Sequence, residues 1–133
     1  MSKFEFTPYS GAGEIAFGLP RDAVRKLLGQ FNEFKKSKFS KNTADNFKFC
    51  HIFYDLDNKI EAVEFFEETE LIYKKKNLFS MSYNDFLGFI KDNSLNHNVD
   101  DSSVIVEDLG IAAYTPDKQR IESIIVYHRG YYD

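Results

Sequence analysis

Apolar and polar positions along the chain follow a helical and then a strand-like rhythm, and that order comes twice. Phe17-Gly18-Leu19-Pro20, followed by Val24, Leu27 and Leu28, lines up without a gap on Phe79-Ser80-Met81-Ser82, followed by Phe86, Phe89 and Ile90, 62 residues on. Farther along, Tyr54, Asp57, Ile60-Glu61 and the apolar run to Phe66 are echoed by Tyr114, Asp117, Ile121-Glu122 and the run to Tyr127, at offsets of 60 and then 61. A period of this size is a supersecondary unit used twice. The chain therefore reads as one domain of two pseudo-repeats, about 13–67 and 70–133.

Each half predicts its own elements. A short strand over 14–17 runs into a helix over about 20–29, opened by Pro20, whose missing donor is harmless in a first turn, and closed by Gly29. Residues 30–46 are rich in Lys and Asn and read as a loop pinned by Phe31, Phe34 and Phe39. Strands over 47–55 and 59–67 form a hairpin around Asp57-Asn58, and 71–73, extending toward 79, supplies another. Ser82 caps a second helix, with Asp85 three residues on as a weaker capping-box partner and Tyr83, Phe86, Phe89 and Ile90 as its stripe. A polar loop over 93–101 precedes strands at 103–107, 110–114 and 120–128, the last introduced by a turn at Pro116-Asp117. The expected fold is α+β: a tandem β-α-β-β(-β) repeat sharing one largely antiparallel sheet, with two helices on one face.

Residues 60–67 are not cleanly amphipathic, because Ile60, Ala62 and Phe66 take one parity while Val63 and Phe65 take the other. Either helices cover one face and loops part of the other, or an aromatic and acidic sheet face stays open to receive a partner.

Composition sharpens that choice. The 133 residues suit a single core, but 14 Phe and 8 Tyr make much of it aromatic. The net charge of −4 is uneven: 55–70 holds Asp55, Asp57, Glu61, Glu64, Glu67, Glu68 and Glu70 against Lys59 alone. A second acidic zone contains Asp92, Asp100, Asp101, Glu107 and Asp108, while Lys35, Lys36, Lys38 and Lys41 form a basic stretch and Lys74 to Lys76 another. Nucleic-acid binding is disfavoured, since phosphate contacts need a sustained basic face. The single cysteine, Cys50, cannot form an internal disulfide, and no stretch approaches the roughly 20 apolar residues of a membrane span. The first residues lack the apolar segment of a secretory signal, which makes the cytoplasm the expected compartment.

Little in the chain is arranged for catalysis. His51, His97 and His128 are far apart and in no metal-ligand spacing, so no metal and no cofactor are expected. Cys50 and His51 are adjacent in a strand and point to opposite faces, which excludes them as a nucleophile–base pair. Gly11-Ala12-Gly13 lacks the third glycine and the lysine of phosphate loops and reads as a turn. The acids of 55–70 are either a solvated face or a surface complementary to a basic partner. The ending His128-Arg129-Gly130-Tyr131-Tyr132 is either a second candidate contact, because Tyr and Arg often anchor interfaces, or a segment whose tyrosines pack the C-terminus onto the sheet.

Gly18-Leu19-Pro20, Val24 and Leu27-Leu28-Gly29 resemble the start of repeats built like beta-lactamase inhibitory protein, a start also found in small outer-membrane assembly lipoproteins. The second copy departs from it, with Ser80 and Ser82 in place of Gly18 and Pro20 and with Gly88 in mid-helix. The chain as a whole, especially 13–18, 124–127 and 130–133, is similar to small bacterial proteins regarded as immunity partners of polymorphic or contact-dependent toxins. That resemblance implies a cytoplasmic, non-catalytic protein that neutralises a cognate toxin, for example a basic nuclease, by direct binding. The partner-binding candidates are then Asp55, Asp57, Glu61, Glu64, Glu67, Glu68, Glu70, Tyr131 and Tyr132. The other reading is a small-ligand or regulatory domain, with aromatics of both halves lining a pocket between helices and sheet.

Overall fold

A computed structural model describes residues 3–131. The elements are β1 (Lys3–Thr7), β2 (Gly11–Ala12), β3 (Ile15–Ala16), α1 (Arg21–Leu28), β4 (Asn32–Phe34), β5 (Ala44–Asn46), β6 (Cys50–Tyr54), β7 (Ile60–Phe66), β8 (Glu70–Tyr73), β9 (Lys76–Asn77), a 3-10 turn (Leu78–Ser80), α2 (Tyr83–Asp92), β10 (His97–Val99), β11 (Ser103–Val106), β12 (Ile111–Tyr114) and β13 (Ser123–Tyr127). The class is α+β, with two helices on one face of a large antiparallel sheet.

That sheet has eight strands in the order β10-β11-β12-β13-β7-β6-β5-β4. Helix α1 precedes the meander β4 to β7, α2 precedes the meander β10 to β13, and the two meanders join through their last strands, with Val63 opposite Val126. An isolated bridge ties each helix start to the strand hairpin behind it: Pro20 to Lys59 in the first half, Ser82 to Arg120 in the second.

The helices stop and start where their caps dictate. Ser82 accepts a hydrogen bond from the Asp85 N–H at 3.1 Å and opens α2, whose Phe86, Phe89 and Ile90 are buried as their spacing predicts. Pro20 opens α1, and Gly29, at φ 88°, closes it with its N–H on the Arg25 carbonyl. The inward stripe of α1 is Arg21, Val24 and Leu28, while Leu27, expected on that face, is 44% exposed. An arginine takes the apolar position because a buried carboxylate, Asp45, lies opposite it.

Several expectations are corrected. A second sheet exists, ordered β3-β2-β1-β8-β9, and its β1–β8 pairing is parallel, with Phe4 opposite Leu71. Gly11-Ala12 is strand β2 rather than a turn. A Cβ on Gly11, at φ 140°, would stand 2.1 Å from the Ile15 carbonyl oxygen, so only glycine fits. The stretches read as loops, 30–46 and 93–101, contain short strands at the two ends of the large sheet: the edge strand β4 and its neighbour β5 in the first, the edge strand β10 in the second. Phe31 and Phe34 are pinned by Phe47 and His51, but Phe39 is 81% exposed.

The main core lies under the helices, where Val24, Phe86 and Ile90 meet Ile52, Val63, Phe65, Ile124 and Val126. Phe6, Ile15 and Leu71 join it from the small sheet. The other face carries a separate, thinner cluster of Ala44, Phe53, Ala62, Ala112 and Tyr127, with Tyr9, Phe34, Ile105, Ile125 and Tyr131 against it. No helix contributes to this cluster.

Candidate functional site

The face away from the helices is defined by residues directly opposite one another in neighbouring strands, which share a side of the sheet. One row crosses six strands: Asn46, His51, Glu64, Ile125, Ala112 and Ile105. On one side of it run Phe34, Ala44, Phe53, Ala62 and Tyr127; on the other run Phe66, Ser123, Tyr114 and Ser103. Six strands at about 4.8 Å spacing make the row about 24 Å wide, a width suited to a protein surface.

Its centre is an acid among rings. The His51 ring lies 4.7 Å from Phe34 and 4.8 Å from Phe66. Glu64 Oε2 accepts a hydrogen bond from the Ser123 hydroxyl at 2.9 Å, and Oε1 lies 3.9 Å from His51 Nδ1. Burial lowers the His51 pKa, and the Glu64 charge offsets this only in part. The ring is therefore neutral at pH 7, and the Glu64 charge is not cancelled by it. The half-exposed Phe66 and Ile125 flank this carboxylate, with Tyr114, 47% exposed, and the half-exposed Ile105 farther across the same face. Such a surface suits a cationic side chain with an apolar stem, the rings covering the stem and Glu64 receiving the charge.

The sequence-predicted acids do not form one patch. Asp55 Oδ1 accepts from the N–H groups of Asp57 and Lys59 and so builds the β6–β7 turn, with Asp57 exposed at its tip. Glu67 and Glu68 sit at the opposite end of β7, about 20 Å away for a strand of that length. Glu67 lies 3.9 Å from Arg120. Glu70 begins β8 in the small sheet. Only Glu61 and Glu64 face the open side, and a β-bulge brings this about: Phe53 pairs with Ala62 and Tyr54 with Ile60, so Glu61 is the extra residue. The bulge also explains the mixed parity of 60–67, since Ile60 and Val63 both reach the main core.

Tyr131 stacks on Tyr127 with centroids 6.1 Å apart, and its hydroxyl accepts a hydrogen bond from Lys36 Nζ at 3.1 Å. Tyr132 lies outside the described residues. Beside the bulge, Lys36, Phe53, Glu61 and Tyr131 line a shallow cleft of about 360 Å³. The space between helices and sheet, where a ligand pocket was expected, is filled by the main core.

A buried polar network was missed at the sequence level. Asp45, with no exposed surface, receives Arg21 and Arg25 through both oxygens, and also the Tyr54 hydroxyl at 2.9 Å. Burial alone would raise the Asp45 pKa, but hydrogen bonds from Arg25, Arg21 and Tyr54 outweigh it and hold the carboxyl below its usual range. The remaining Arg21 donors go to Asn42, Asn58 and Thr43, so all five are used. The network clamps α1 to β5 and to the β6–β7 turn. Arg21 and Arg25 lie at least 20 residues from Asp45 in sequence, which hides the network from any local pattern. Cys50 points into the main core, away from His51, and burial pushes its pKa up to about 12. Among the described residues no group of His, Cys, Asp and Glu could hold a metal ion, and no helix is long and apolar enough to cross a membrane.

Fold and site together define an α+β domain with one helix-covered and one open sheet face. No protein-family model, curated protein or solved structure matches the chain.

Proposed function

We propose that this chain is a non-catalytic binding protein, an immunity-type inhibitor that neutralises a cognate bacterial toxin in the cytoplasm by seating it on the open sheet face. The observation that carries this reading is the central row: a half-exposed carboxylate, Glu64, set among Phe34, Phe66, Tyr114 and a neutral His51, on a face no helix covers. Flat aromatic area with a charge at its centre is the composition of interface hot spots. A standard interface takes roughly 800 Å² from each partner. The complementary surface is basic, as in the active-site cleft of a nuclease. The two helix-then-meander halves, joined at β7 and β13, support a tandem architecture in which each half supplies one side of that surface.

The test is co-purification with the product of an adjacent gene that has a toxin-like C-terminal domain, followed by titration calorimetry. Nanomolar binding that weakens as salt rises is expected, because the contact is electrostatically complementary. Thermal stabilisation by a metabolite, with no protein partner bound, would favour the small-ligand reading, for which the cleft beside the bulge is one candidate cavity.

A further inference from the structure

We propose that the cleft beside the β7 bulge is a receptor for one cationic side chain of the partner, and that Lys36 is its resident occupant. This deepens the binding reading above, on which the source of the cation rests. Lys36 Nζ lies 4.6 Å from the Phe53 ring centroid and 5.6 Å from that of Tyr131, and donates to the Tyr131 hydroxyl at 3.1 Å. Two rings and a hydroxyl around one ammonium make an aromatic cage, the arrangement by which proteins bind alkylammonium groups.

The cage has a carboxylate waiting beside it. Glu61, turned onto this side by the bulge, lines the same cleft, and among the described residues no side-chain donor bonds its oxygens. Its pKa is raised, first by burial and then by Asp55, with Lys36 and His128 opposing. A partly desolvated carboxylate without a hydrogen-bonded partner gains most from an incoming cation. The cleft holds Asp55 and Glu61 against Lys36 and Lys41. When Lys36 leaves, one negative charge is uncompensated, and a cation from the partner restores the balance. Lys36 is free to leave because it sits just after the edge strand β4, in the segment 35–43 that connects β4 to β5.

The test needs no partner, so its failure is separable from failure of the immunity reading. The labelled chain is titrated with N-acetyl-lysine amide, and with N-acetyl-norleucine amide as the uncharged isostere, while the ring signals of Phe53 and Tyr131 and the ε-methylene signal of Lys36 are followed by NMR. The lysine probe is expected to shift both rings and return the ring-shifted Lys36 signal to its solvent position. Lys36→Met should bind the probe about threefold tighter, the factor that a half-exposed cation–π contact is worth, and Glu61→Gln should weaken it. Equal binding of the norleucine probe, Lys36 signals that stay in place while the probe binds, or no tighter binding by Lys36→Met would overturn the proposal.

Discussion

At the scale of the residue, two buried groups make the fold sensitive to charge. Asp45 answers two guanidiniums from a position without solvent, so Asp45→Asn leaves both short of their counter-charge. A loss of about 3 kcal/mol is expected, measured by urea unfolding. The same carboxyl has a depressed folded pKa, so its stabilisation is present above the ordinary carboxylate range and is lost as pH falls through the folded value. His51 adds a step at higher pH. Its folded pKa lies below 6.5, so the unfolded chain binds more protons in the window beneath 6.5. Stability is therefore full above that value and falls as the pH is lowered through the window. His51→Gln should remove that slope beneath pH 6.5, while leaving in place the loss that Asp45 causes at lower pH. Little of this was legible in the sequence. Cys50 and His51 on opposite faces followed from strand alternation, but the bulge that turns Glu61 outward depends on which residue of β6 meets which of β7, and pairing register is a long-range property.

At the scale of the element, local chemistry was a good guide wherever a cap or turn residue acts on its own neighbours. Ser82 opens α2, Asp117 accepts from the Gln119 and Arg120 N–H groups to form the last turn, and Asp55 does the same for the β6–β7 hairpin. Ser82→Ala should cost about 1 kcal/mol, read as a lower thermal midpoint. Pro20→Ala should cost less, because no side chain caps α1 in the first place. The short outer strands escaped notice for a physical reason. β4, β5 and β10 are three residues long and lie in polar, Asn-containing segments, so they exist because a neighbouring strand offers hydrogen bonds and carry no pattern of their own. β1 is different: Lys3, Phe4, Glu5, Phe6 and Thr7 alternate polar and aromatic, and Phe6 is buried, so the signal was present in the chain.

At the scale of the molecule, two helix-then-meander halves meet strand to strand and leave one face of an eight-stranded sheet outside the main core. The acidity of 55–70, continuous in sequence, is spread by this fold over two turns, a second sheet and the open face. Net charge over a segment therefore overstated the patch, and the aromatic content that accompanies Glu64 defines it better. The measurement that tests the account most directly is calorimetric titration of the cognate partner against two double variants of equal charge change, Glu64→Lys with Tyr114→Arg on the open face and Asp57→Lys with Glu68→Gln at the two turns. The account predicts that the first loses affinity at least a hundredfold, about 2.7 kcal/mol, with its thermal midpoint nearly unchanged, while the second binds almost as the parent does. Unaltered binding by the open-face variant, with affinity lost in the turn variant, would contradict it.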